Sequence, residues 1–421
     1  MMYEIYNERL QTTEIEVKDG VVEAIDSSVS HGKAVRVIKD GGLGFAYSTD
    51  VNIPEQEVVD MAATIAECVS PDLDLTLPPQ SPAPAFSRNL GLLSNTSVSD
   101  KIELAKALEA NVLAYDKRIK AVRKSGYGEF IKDVSILNSN GVDVQYSTGL
   151  CALSIMAVAE DGSESERAGE IEYSFDPGKF DVEEIAKTVA RKAIQRLNSR
   201  KIASCRAPCI LERSVAAEML GIAITAFFAD SVYKEKSPFA NKTGEEIYSP
   251  KLTIIDDATL PHGFSSVPCD AEGVPAKKVE IIKDGVLSSF LADTYYAKKI
   301  KSQPTGSSVR SSVMMTPKIG VNNLFLKSGD KDLKKEMGKG IFITEVMGLH
   351  TANQITGDFS VGAEGFWIDN GEDQFGVKGI TIAGNIHQLL KRVVAVGNDI
   401  KFWKSLGSPS ILIEEIAISG N

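Results

Sequence analysis

Histidine is scarce in this sequence: His31, His262, His350 and His387 are the only four in 421 residues, and no two are close together. Any metal–imidazole chemistry has to be built from those four, and no pair of them falls on one helix. Cysteine is sparse too, with Cys68, Cys151, Cys205, Cys209 and Cys269 making an odd, irregularly spaced five. That excludes a disulfide framework, and Cys205 and Cys209 stand one residue too far apart for a CxxC knuckle. They read as small buried core residues in a reduced, cytoplasmic setting. The start, Met1-Met2-Tyr3-Glu4, lacks the basic-then-apolar pattern of a targeting segment, and none is expected. The longest apolar stretch, residues 219–229, is far short of the ~20 residues of a membrane span. Positive charge is in deficit: 46 Lys and Arg against 57 Asp and Glu give a net charge of −11 and a pI of about 5.1. That argues against a standing role on nucleic-acid phosphates or anionic membranes. HExxH, Walker A, GxGxxG and GxSxG motifs are all missing.

What is present is the balance of an ordinary globular protein, 43% hydrophobic and 24% charged. At about 100–200 residues per domain the length suggests two or three domains. The first 50 residues read as a strand meander: residues 14–18 alternate, Asp19-Gly20 turns, and 21–25, 34–38 and 43–47 follow. Pro54 opens a helix through Cys68. Five prolines between Ser70 and Ser87 then force a surface linker or draped segment. A second unit opens on a helix capped by Ser99, continues in strands around Asn140-Gly141 and Asp161-Gly162, and ends in a helix over 181–197. From Ala207 the pattern predicts a short strand, a long helix over 213–232, and then strands with Gly-bearing turns. These include 252–256, 279–282, 286–291, 340–346, 366–370, 378–382 and 411–418, interrupted by a helix over 386–394. The fold class is therefore α+β. It has antiparallel meanders with helices in units 1–97 and 98–206, and a strand-rich domain, 207–421, around one buried central helix.

The glycine clusters 41–44 and 126–128 read as turns or bulges. The acidic run 369–373 reads as a solvated hairpin tip, and 327–339 as an exposed turn with a short helix. Two segments stand out. Residues 219–228 are apolar on every side, as in a helix buried inside a domain. Residues 348–362 form a polar stretch with a lone histidine. It is either a wide turn pinned by side-chain hydrogen bonds or a contact loop for a ligand or peptide.

The blocks Gly348-Leu349-His350-Thr351, Thr356-Gly357-Asp358-Phe359-Ser360-Val361-Gly362-Ala363, Gly379-Ile380-Thr381-Ile382-Ala383-Gly384-Asn385 and Val396-Gly397-Asn398-Asp399 resemble the TldD/PmbA family, in its PmbA/TldE-type branch. The likeness runs through Asp284-Gly285-Val286-Leu287 into the N-terminal meander. The resemblance implies a role in a two-subunit zinc peptidase acting on unfolded or leader-bearing peptides. The family has also been described as modulators of DNA gyrase. In its TldD-type catalytic subunit a helix bears His-Glu-x-x-x-His, and a C-terminal cysteine completes the zinc site. Two imidazoles five residues apart project about 140° from each other, so that helix needs a broad open face. Matching Asp230 and residues 236–239 to that subunit puts Leu220 and Thr225 at the histidine positions and Gly221 at the glutamate. No cysteine follows Cys269. Leucine supplies no ligand, and a threonine hydroxyl is a poor one beside imidazole.

The resemblance thus implies a non-catalytic chain with no metal of its own, paired with a TldD-type subunit that holds the zinc. The pair would enclose a chamber and hold extended peptide by strand addition. His350, Thr351, Asn353, Gly357, Asp358 and Ser360 are the candidate contacts with peptide or partner. Self-association in isolation stays open, because a surface built for a related subunit can pair with its own copy. Two alternatives also stay open. One is a self-sufficient hydrolase using His350 with Asp358 as an acid/base pair; the other is a non-enzymatic regulator of a topoisomerase or toxin–antitoxin partner.

Overall fold

The computed structural model describes residues 1–420. Strands β1 (Met2–Lys18) and β2 (Val21–Lys39) form one long hairpin around Asp19 and Gly20. Both turn residues have positive φ, 53° and 74°, the geometry of a tight two-residue hairpin turn. The sequence pattern divides β2 into two pieces because residues 26–32, Val29 apart, carry no apolar side chain. The strand runs on regardless, since this stretch lies exposed and needs no apolar side chains to remain extended. β3 (Gly42–Ser48), β4 (Ile119–Asn138), β5 (Asp143–Asp161) and β6 (Glu164–Ser174) complete a six-stranded antiparallel sheet in the order β3-β2-β1-β4-β5-β6.

Helix α1 (Glu55–Glu67) packs on β2 and β3. Helices α2 (Val98–Tyr115) and α3 (Val182–Arg196) pack on the β4–β6 side, where Leu108, Val112, Leu153, Ala157, Val189 and Ala190 share one core. Three strands followed by a helix thus occur twice, joined at the β1–β4 pairing. The units expected at 1–97 and 98–206 hang on a single sheet. The proline-rich segment between them is draped and anchored. Leu77 is buried, Asn138 Nδ2 and Asn140 Nδ2 donate to the carbonyls of Pro78 and Leu77, and Tyr295 Oη donates to Asp72 at 2.7 Å.

In the remaining chain β7 (Cys205–Leu211), β8 (Gly340–Met347), β9 (Asp358–Asp369), β10 (Glu372–Asn385) and β11 (Ile411–Ser419) close into a barrel: β7 pairs with β8 and β11, and β10 pairs with β9 and β11. Alternate residues, among them Cys209, Leu211, Ile341, Ile343, Val361, Ile382 and Ile413, enter the largest core of the molecule. A second six-stranded sheet, containing Ile254–Asp257, Lys278–Lys283 and Leu324–Leu326, contributes to the same core. Between barrel and sheet lies helix α4 (Arg213–Ala223), and α5 (Ile386–Lys391) follows β10. The class is α+β, as the pattern predicts.

Some local expectations are corrected. The helix predicted over 213–232 ends at Ala223. It tightens into a 3₁₀ turn, Ile224–Phe227, and breaks at Phe228, whose backbone is extended. Tertiary pairing causes the break: Ala229 N donates to Leu291 O, and Leu291 N to Phe227 O. The cap of α2 is Ser97, not Ser99. The strand predicted over 286–291 is only Val286–Leu287.

Candidate functional site

Helix α4 is less enclosed than its apolar sequence suggests. Val215, Ala216, Met219, Leu220 and Ala223 are buried, but Glu218 is exposed and Gly221, Ile222 and Thr225 are half-buried. These four recur at three- and four-residue steps and so share one face. Leu220, 2% exposed, points into the core among the barrel and sheet residues. Gly221 lies against Leu406, whose Cδ1 would stand 3.1 Å from an added Cβ. Thr225 Oγ1 donates its one proton to the Gln354 carbonyl at 2.6 Å, with the Ile222 carbonyl a more distant acceptor at 3.1 Å. The two segments that stand out in the sequence therefore meet.

The loop on the other side of this bond is a turn pinned by its own side chains. Asn353 Oδ1 accepts from the backbone N–H groups of Ile355 (2.8 Å) and Thr356 (3.1 Å). Thr356 Oγ1 donates to Asp358 Oδ2 at 2.6 Å, and Asn385 Nδ2 donates to Asp358 Oδ1 at 2.8 Å. These bonds, from Asn385 first and Thr356 second, hold the Asp358 carboxyl below the usual carboxylate range. Gly357 has φ +81° and rests on His387, whose Cδ2 would be 2.8 Å from an added Cβ. A side chain there meets both strain and a clash. His387 is buried, bonded through Nδ1 to Tyr248 Oη at 2.7 Å, and burial pushes its pKa down to about 4.

Of the candidate contacts, His350, Thr351, Asn353, Asp358 and Ser360 are exposed and Gly357 is buried. Asn353, Thr351 and Asp358 spend polar atoms within the loop, since Thr351 Oγ1 donates to Gly348 O. Among the described residues the side chains of His350 and Ser360 make no hydrogen bond. Among the described residues no hydrogen bond or ion pair joins His350 to Asp358, whose side-chain partners are Thr356 and Asn385. The acid/base pairing open to a self-sufficient hydrolase is therefore not assembled.

Beside the first turns of α4 the sequence gives no warning of a cleft of about 850 Å³ between β6, α3 and β8. Glu212, which caps α4 by accepting from Ser214 N at 2.7 Å, Glu218 and Glu345 line it, with Phe342, Val346 and Phe366 as its apolar wall. Although Glu218 is open to solvent on one side, desolvation by the cleft walls, then the neighbouring Glu345 and Glu212, raise its carboxyl above the ordinary value. Of the outward face of α4 only Glu218 reaches the cleft.

A zinc centre does not fit these residues. Leu220 faces the core, Gly221 has no side chain, and the Thr225 hydroxyl is committed to the Gln354 carbonyl. Cys269 is fully buried in a different cluster, with Tyr6, Val134 and Val313. Among the described residues no three His, Cys, Asp or Glu side chains gather where they could hold a metal ion. No helix is long and apolar enough to cross a membrane.

Sequence models of the PmbA/TldA metallopeptidase match in three parts: domain 1 at residues 3–70, the central domain at 91–197 and the C-terminal domain at 204–420. The chain is 31% identical to metalloprotease PmbA of Escherichia coli O157:H7, covering 97% of this chain and 91% of that one. To the metalloprotease TldD homologue of Haemophilus influenzae it is 24% identical over 96% of this chain and 90% of the relative. Among solved structures, TldE from Thermococcus kodakarensis superposes with a TM-score of 0.92 at 26% identity, covering 100% of this chain and 97% of that one. A Thermotoga maritima protein named as a candidate modulator of a DNA gyrase has a TM-score of 0.92 at 29% identity, covering 99% and 96%. On the three domain matches and the likeness to PmbA across nearly its whole length, the chain belongs to the PmbA/TldD metallopeptidase family.

Proposed function

We propose that this chain is a PmbA/TldE-type subunit that lacks a catalytic metal site and works with a TldD-type, zinc-bearing partner on unfolded or leader-bearing peptides in the cytoplasm. The observation that carries this reading is α4. At the three positions where the resemblance places His, Glu and His, this chain has a core leucine, a glycine packed on Leu406 and a threonine bonded to Gln354. Greater identity to PmbA (31%) than to the TldD homologue (24%) supports the same branch. In this reading the chain shapes one side of a chamber. His350 and Ser360, exposed and unspent, contact peptide or partner, and the remaining loop residues keep them in place.

Metal analysis joined to a peptidase assay tests the proposal. The pure chain is expected to hold far less than one zinc per chain and to leave an unstructured peptide intact. Mixed with a TldD-type subunit it should support cleavage that a chelator abolishes. One zinc per isolated chain, with chelator-sensitive cleavage, would overturn it.

A further inference from the structure

Strand β3 pairs with β2 only over residues 33–39, and β1 occupies the other side of β2. Residues 22–32 therefore leave an unpaired edge, and among the described residues no backbone bond from outside the β1–β2 ladder reaches it. Nearly all of it is exposed, with Ile25 at 46% and Val29 at 55%. Proline and lysine, the usual guards of an open edge, are missing from it; a register slip that leaves Glu23 as an extra residue against β1 bends its beginning.

We propose that this edge is a self-association surface: β2 pairs antiparallel with β2 of a second copy about a two-fold axis through Ser27. A two-fold ladder sets residues of the same face opposite each other, so its centre must be a residue and not the gap between two. Centring on Ser27 opposes Ile25 to Val29 twice, Ala24 to Ser30 and Asp26 to Ser28, and brings the Glu23 bulge to His31. Apolar meets apolar, and carboxylate meets imidazole. Centring on Asp26 sets two carboxylates face to face, and centring on Ser28 trades the Ile25–Val29 contact for Ile25 against His31. Centring on Val29 sends Ile25 to Lys33, whose outer edge β3 already holds. In the Ser27 register the partner's Asp19-Gly20 turn lies beside a cleft of about 670 Å³ that opens where β3 leaves β2, at Gly32, Lys33, Ser48 and Asp50. This surface is independent of the peptidase reading and stands if no TldD-type partner is found.

Sedimentation velocity and cysteine trapping on the full chain test the register, with Cys68→Ser removing the exposed native thiol. The wild type should pass from monomer to dimer with rising concentration. Ile25→Lys should remain monomeric, with thermal unfolding close to that of the wild type at concentrations where both are monomers, since residue 25 is exposed. Ser27→Cys should give a covalent homodimer under mild oxidation. Ser30→Cys alone should not, but should cross-link to an Ala24→Cys chain. A wild type that stays monomeric, or that pairs only with a TldD-type chain, overturns the proposal. So does a dimer that survives Ile25→Lys, or one in which Ser30→Cys traps as well as Ser27→Cys.

Discussion

Thr225 shows how one hydroxyl can tie two distant segments together. Its Oγ1 joins the 3₁₀ turn that follows α4 to the 353–357 turn through Gln354 O, a bond in a half-buried setting. Thr225→Val keeps the shape and removes the donor, so it should cost about 1 kcal/mol. Hydrogen exchange should speed up at the turn amides of Ile355 and Thr356 and not in the barrel core. His387 offers a pH readout of the same region. Its folded pKa of about 4 lies below the ordinary 6.5. Between those values the unfolded chain binds the extra proton, so His387 makes stability fall as pH is lowered through that window. Asp256 and Asp293, pushed up to about 7 mainly by burial, tilt the other way, because there the folded chain holds the extra proton. The effect is therefore read as a difference. His387→Gln, which can still accept from Tyr248 Oη, should be less stable than wild type near neutrality, and the gap should narrow from pH 6.5 toward 4. A gap that does not change with pH would mean that His387 carries no such penalty.

Elements were legible in the sequence wherever local chemistry alone decides them. Pro54 and the apolar spacing after it mark α1, and Asp19-Gly20 marks the β1–β2 turn. Asp181, which accepts from Glu184 N, marks the start of α3. The misplaced cap of α2 reflects two serines two residues apart. Ser97 Oγ accepts from Asp100 N at 3.1 Å, and Ser99 lies inside the first turn. Ser97→Ala should therefore cost ~1 kcal/mol in urea unfolding, and Ser99→Ala only a few tenths. The break after Phe227 could not be read locally. Residues 219–228 hold no proline and no turn signal that would fix a break at Phe228, and the competing bonds come from Leu291, far along the chain. The cleft beside α4 was hidden for the same reason, since its walls come from β6, α3 and β8. The family blocks located the loop around His350 but did not say that most of its polar atoms are spent on itself.

At the scale of the whole molecule, the N-terminal sheet and the C-terminal half are joined by a buried charge network beside a small apolar cluster, in which Tyr6, Val134 and Val142 meet Cys269 and Val313. Glu4 of β1 accepts from Arg36 Nε at 3.0 Å and from Arg310 Nη2 at 2.9 Å, and Arg36 Nη1 reaches Glu272 at 3.0 Å. Side chains of Glu4 and Arg310 are 1% and 2% exposed, so water cannot take over if one partner is lost. The Arg310 guanidinium also leaves Nε unpaired, and burial draws its pKa down. Coulomb attraction in such a place roughly offsets desolvation, whereas removal of one partner exposes the full penalty on the rest. Glu4→Ala should thus cost about 3–5 kcal/mol in urea unfolding, a loss that added salt does not reproduce in the wild type. Lys39–Glu67, an exposed pair at the same sheet's edge, is the control: Glu67→Ala should leave urea unfolding nearly unchanged. Because the network spans the two halves, the variant should also separate one transition into two, with the β4–β6 core around Leu153 and Val189 unfolding apart from the barrel. If Glu4→Ala costs no more than the surface pair and unfolding stays a single transition, the halves are held together by something else. The anchored proline-rich segment, through Asp72 to Tyr295 and Lys299, would then be the first contact to test.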